Sequence, residues 1–156
     1  MIHLDLAVPS DWTRIDQVRE AVGHSVAAVY GDHELKDALA MVSAELLENA
    51  LKYGRPTQGD VRISLRDDQG RLVITVTNEV DEGSEHARLL DELVRWVRQA
   101  DSPLAAYEAA LARTISDEAE ALRSGLGLAR ICYEGGCDLD CDTSEPGRVT
   151  VRAVTR

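Results

Sequence analysis

The sequence predicts an α+β fold: a two-layer sandwich in which a mixed, mostly antiparallel sheet is covered by helices on one face. Three observations predict it. Alternating apolar runs occur in two pairs, Val61–Leu65 with Leu72–Val76 and Asp138–Cys141 with Val149–Val154, each pair joined by a turn-rich segment; this is the pattern of antiparallel hairpins. Long stretches before and between them carry apolar residues at helical spacing. Strands therefore group with strands and helices with helices, which places the helices on one side of the sheet.

Taken in order, Ile2, Leu4 and Leu6 alternate with His3 and Asp5 as a short strand with one buried face, which Pro9-Ser10-Asp11 ends. A first helix aligns Ile15, Val18, Val22, Val26 and Val29, and Gly31-Asp32-His33 breaks it. A second starts near Glu34, places Leu35, Leu39, Val42, Leu46 and Ala50 on one stripe, and ends at Gly54-Arg55-Pro56. Val61, Ile63 and Leu65 face the same way as Leu72, Ile74 and Val76 across a turn at Asp67–Gly70. An acidic loop covers Asn78 to Ser84, and Leu89, Leu90, Leu93, Val94 and Val97 predict a third helix. Ser102 and Pro103 read as an N-cap and first helical residue; Leu104, Leu111, Ile115, Ala119 and Leu122 predict the buried stripe of the helix they open. After the break at Ser124–Gly127, a short helix runs from Leu128 to about Glu134, and a hairpin through Glu145-Pro146-Gly147 closes the chain.

A chain of 156 residues, 44% of them apolar, fits one domain over residues 1–156, with a helical segment at about 84–123 that inserts as a unit. No apolar run approaches the roughly 20 residues of a membrane span, and the start does not resemble a signal peptide; a cytoplasmic location is expected. The net charge of −11 argues against nucleic acid and anionic membranes as partners, which need a basic footprint, and suits docking on a basic protein. The three cysteines, Cys132, Cys137 and Cys141, do not make a disulfide scaffold. Cys137 and Cys141 on one strand would stand about 13 Å apart, too far for one zinc ion or one disulfide. His3, His24, His33 and His86 are dispersed, and Trp12 and Trp96 are expected at helix edges.

Three features carry chemistry. In Glu45-Leu46-Leu47-Glu48-Asn49-Ala50-Leu51-Lys52-Tyr53-Gly54, Glu45 and Asn49 share a helix face beside the buried stripe, with Lys52 close to it. A carboxylate and an amide oxygen so placed can hold water and a hard metal ion, and lysine can contact phosphate. The plain alternative is a solvated edge with Glu48 and Lys52 as an ordinary pair. In Ser124-Gly125-Leu126-Gly127-Leu128-Ala129-Arg130, two glycines precede a helix whose free amides can receive phosphate, with Arg130 approaching the same anion; the same residues would also serve as a simple break. In Thr77-Asn78-Glu79-Val80-Asp81-Glu82-Gly83, Asn78 can donate to and accept from a base edge, or cap the end of the strand, while the carboxylates beside it repel phosphate.

This order of elements and motifs resembles the histidine-kinase-like ATPase superfamily, and within it the small anti-sigma serine kinases. The Glu45–Gly54 segment resembles that family's N-box and Gly125–Arg130 its later glycine box. The resemblance implies Glu45 as catalytic base or water-positioning carboxylate, Asn49 as the magnesium ligand, and Lys52, Gly125, Gly127, Leu128 and Arg130 around the phosphates of ATP or ADP with Mg2+. It also exposes a departure: where the family has an aspartate followed by G-x-G to read adenine, this chain has Asn78 and only Asp81-Glu82-Gly83. Either Asn78 takes over the base contact or adenine binding is lost. Residues 89–122 lie where the family has its nucleotide lid, and would occlude the pocket or form a docking face. The resemblance implies a bacterial regulator that binds a protein partner by partner switching, with weak or lost ATP turnover, and allows a homodimer. The alternatives are an active protein serine/threonine kinase using Glu45 and Asn49, an ATPase, or a structural scaffold.

Overall fold

The computed structural model describes residues 1–53, 59–116 and 125–156. Gly54-Arg55-Pro56, Ala119, Leu122 and Ser124 lie outside them. Five strands form one sheet: β1 (His3–Pro9), β2 (Asp60–Asp68), β3 (Arg71–Glu79), β4 (Cys137–Asp142) and β5 (Arg148–Thr155). Five α-helices accompany them among the described residues: α1 (Ile15–Tyr30), α2 (His33–Tyr53), α3 (Glu85–Gln99), α4 (Pro103–Ser116) and α5 (Leu126–Tyr133).

The sheet order is β1-β2-β3-β5-β4 and all four pairings are antiparallel. The α+β sandwich is thus as expected, but the described strands contribute no parallel pair to the mixed sheet. The β2–β3 turn needs positive φ at two successive residues, met by Gln69 and Gly70 (φ 55° and 86°), and this backbone twist suits a tight hairpin. Register then aligns the inward side chains in rows. Leu4 faces Leu65, Leu65 faces Ile74, Ile74 faces Ala153, and Ala153 faces Leu139. The next row runs Leu6, Ile63, Val76, Val151 and Cys141.

The helices bury their stripes against this face. Ile15, Val18, Val22 and Val26 of α1 are buried together with Leu39, Val42, Leu46 and Ala50 of α2 in one apolar cluster. Val29, expected on the α1 stripe, is 43% exposed, while its neighbour Tyr30 packs against the core just before left-handed Gly31 ends α1. The α4 stripe is a larger correction. Leu104, Leu111 and Ile115 are exposed, while Ala106 and Ala110 on the opposite side are buried. Small side chains let α4 lie close against its neighbours, so the large residues turn outward. Of the tryptophans, Trp96 is partly buried under the Arg113 guanidinium, 4.7 Å from its ring, whereas Trp12 is exposed. The predicted cap at Ser102 forms, and Ser84, read from the sequence only as the end of the acidic loop, caps α3; each accepts a backbone N–H of the following turn. α5 begins at Leu126, earlier than the sequence suggests, since left-handed Gly125 (φ 73°) is its N-cap. No described helix is long and apolar enough to cross a membrane.

Candidate functional site

The polar edge of α2 and the start of α5 meet. Glu45 and Asn49 lie on the side of α2 next to its buried stripe, so the packing of Leu46 and Ala50 fixes where they stand. Gly127, in the first turn of α5, abuts them directly. A Cβ built at Gly127 would run into Glu45 Oε2 and lie 3.9 Å from Asn49 Nδ2. Any larger residue at 127 would have to push the Glu45 carboxylate aside. Gly125 turns the chain into the helix, and the first-turn amides of Gly127 and Leu128 have no acceptor within a helix. The Leu128 side chain is buried in the core, so only its backbone can serve a ligand.

One turn further on, Arg130 Nη1 donates to Glu45 Oε1 at 2.9 Å. Its Nε and Nη2 both reach Glu134 Oε2 at 3.1 Å. Sequence reasoning missed Glu134, although its spacing of four from Arg130 is a legible helical pair. Asn49 Nδ2 is buried and makes no hydrogen bond, which is costly in a packed site and marks a donor left for something else. Lys52 is exposed near the end of α2, within electrostatic reach of Glu45 and Glu48; desolvation nonetheless holds its amine below the usual value.

Glu45 is held above the ordinary carboxyl value of 4.5, first by burial and then by neighbouring Glu48 and Glu134, against the pull of Arg130. The native state therefore binds this proton more tightly than the unfolded chain, so the carboxyl's contribution to stability falls as pH rises from 4.5 through the raised native value. Glu45→Gln, which imitates the neutral acid, should gain in melting temperature relative to the wild type between pH 4.5 and 7. A constant difference across that range would contradict this.

Asn78 does not lie in the acidic loop. It belongs to β3, opposite Val149, at an inward position of the apolar rows, and is 6% exposed. Its Nδ2 donates to the Ala50 carbonyl of α2 at 3.3 Å and to the Glu79 carbonyl at 3.4 Å. It is thus not a cap, and its donor is used within the fold. Only the acceptor Oδ1 remains for a ligand, so the two-way contact with a base edge is not available. The bond to Ala50 nevertheless places Asn78 next to Asn49 along α2.

Two clefts bounded by described residues lie away from this site. One of about 430 Å3 lies between Glu79–Glu82 and Glu145–Arg148. Its four carboxylates against one arginine suit phosphate poorly. A larger one, about 620 Å3, lies on the open face of the sheet. No group of three or more His, Cys, Asp or Glu could hold a metal among the described residues. All three cysteines are free, and burial pushes the Cys132 thiol up to about 11 and Cys137 and Cys141 up to about 12. They are therefore protonated and act as small core or edge residues.

The family model of the histidine kinase-like ATPase domain matches residues 8–131. Among solved structures, a chain of the SiaB–SiaC complex from Pseudomonas aeruginosa is similar, with a TM-score of 0.69 and 18% identity, over 97% of this chain and 89% of that one. At that identity the likeness is one of fold. No curated protein matches the sequence.

Proposed function

Since the chain belongs to the histidine kinase-like ATPase domain family, we propose that it is a nucleotide-binding regulatory domain that acts by binding another protein, as bacterial anti-sigma partner switches do, with weak or lost ATP turnover. The observation that carries this is the contact of Gly127 with Glu45 and Asn49, which joins both halves of the candidate phosphate site. The residues fit a magnesium-bound nucleotide in kind. Asn49 carries an amide oxygen of the kind that ligates Mg2+, and its unpaired buried Nδ2 is a donor for a phosphate oxygen; Gly127 and Leu128 offer backbone donors, and Lys52 and Arg130 supply positive charge. Among the described residues no cluster of acidic, histidine or cysteine ligands could hold a metal by protein alone, so a magnesium ion here would keep waters and phosphate oxygens. When bound, Mg2+ would supply charge compensation for the phosphates.

Weak turnover is supported by the state of Glu45, tied to Arg130 and pressed against Gly127, and by the loss of the Asn78 donor to α2. A protein partner is supported by the similar fold of a chain taken from a two-protein complex, by the net charge of −11, and by the outward apolar side of α4 in the lid position. A cytoplasmic location goes with this reading.

A second reading, an active Mg-ATP-dependent protein serine/threonine kinase, is favoured by one observation: Glu45 is largely buried beside the start of α5, and this burial raises its carboxyl above the ordinary value, the direction that strengthens a base. Calorimetric titration with ATP and Mg2+ tests both. Binding is expected, and Asn49→Ala should weaken it at least about tenfold with magnesium but little without, a loss of ~1.4 kcal/mol. No heat and no thermal shift at millimolar ATP would remove the nucleotide from both readings. Phosphate transfer to a protein that Glu45→Ala abolishes without loss of ATP binding would favour the kinase.

A further inference from the structure

The Glu45 carboxylate occupies the place of an anion. Its Oε2 rests on Gly127 in the first turn of α5, and its Oε1 accepts from Arg130. Gly127, Arg130 and Glu134 are three and four residues apart, so they share the side of α5 that meets α2. Glu134 grips Nε and Nη2 of Arg130 with a single oxygen, which leaves Nη1 to the carboxylate. Glu45 is the deeper member of the pair, with 15% of its side chain exposed against 38% for Arg130. Asn49 Nδ2, buried and unpaired, borders the same spot. The guanidinium holds the carboxylate, and a helix start and an unpaired amide donor border it, so a phosphate group in that place would meet donors on three sides. Two anions cannot share that place without strong repulsion.

We propose that Arg130 is an exchangeable partner. In the free protein it holds Glu45 as an internal stand-in for phosphate; a nucleotide phosphate takes Arg130 over and displaces the carboxylate, so that binding and release of Glu45 are one event. Glu134 is the positioning residue that keeps Arg130 aimed in both states. The exchange rests on the nucleotide reading above and explains how a base candidate is masked until the anion arrives.

The test is a double-mutant cycle read by calorimetry with Mg-ATP, using wild type, Glu45→Gln, Arg130→Gln and the double variant at one ionic strength. Glu45→Gln is expected to tighten binding about tenfold and Arg130→Gln to weaken it about tenfold, ~1.4 kcal/mol each. In the Arg130→Gln background, Glu45→Gln should change affinity less than about twofold, because nothing is left to release. Equal tightening in both backgrounds would mean simple repulsion of phosphate by Glu45 and would overturn the exchange, as would no tightening in the wild-type background. A wild type that binds no ATP overturns the nucleotide reading and the exchange together; one that binds with additive effects overturns the exchange alone. Should Arg130→Gln fail to fold, Arg130→Lys keeps the charge, loses the fork, and must show the same non-additivity with smaller amplitude.

Discussion

Gly135→Ala is expected to cost about 3 kcal/mol, or roughly 10 °C in melting temperature for a chain of this length. The new Cβ would lie 2.5 Å from the Ile131 carbonyl oxygen and 2.6 Å from Val42 Cγ2. The first is backbone and the second belongs to a fully buried side chain of α2, so neither can yield cheaply. Gly135 also donates to the Arg130 carbonyl at 3.0 Å, which anchors the end of α5 where it turns into β4. Forcing the two apart would lift α5 from α2 and move Arg130 off Glu45. Gly31→Ala is the control. It has left-handed φ of 63° but nothing within 4 Å, so it meets conformational strain alone, about 1 kcal/mol. Urea denaturation of both variants checks the difference, and equal losses would mean that the close approach at Gly135 does not matter.

Asn78→Asp should be nearly as damaging, at about 2–4 kcal/mol near pH 7. It replaces an amide that donates to two carbonyls with a carboxylate that repels both. The buried acid would have a raised native pKa, so the folded state binds its proton more tightly and stability falls as pH rises through that value. The variant should therefore recover much of its loss near pH 4, where a protonated carboxyl can again donate to Ala50. Denaturation midpoints at the two pH values read this directly. A variant as stable as the wild type at pH 7 would show that the link between β3 and α2 is not an energetic one. The result also bears on function, because this substitution restores the residue type expected at an adenine-reading position.

Much of the fold was legible because it is written as periodicity. The two hairpins follow from alternation of period two with Gly, Asp and Pro between the runs, and the α1 and α2 stripes from helical spacing of branched and leucine residues. The α4 stripe was not, for a particular reason. Leu104, Leu111 and Ile115 and the pair Ala106 and Ala110 both satisfy helical spacing, on opposite sides of the helix. Hydrophobicity alone selects the leucines, whereas close packing selected the alanines. Asn78 failed for a related reason. A polar residue near the end of a strand reads as loop chemistry, and only the register against β5 reveals that it points inward toward α2.

By itself the sequence determined the element order, the antiparallel hairpins and the two polar segments at Glu45–Lys52 and Gly125–Arg130, since these depend on residue type and local spacing. Only the tertiary structure decided that the two segments touch, that Arg130 is shared between Glu45 and Glu134, and that Asn49 retains an unused donor. The physical reason is distance along the chain. Glu45 and Arg130 are 85 residues apart, and no local propensity encodes a contact that exists only because two helices are pressed onto the same sheet.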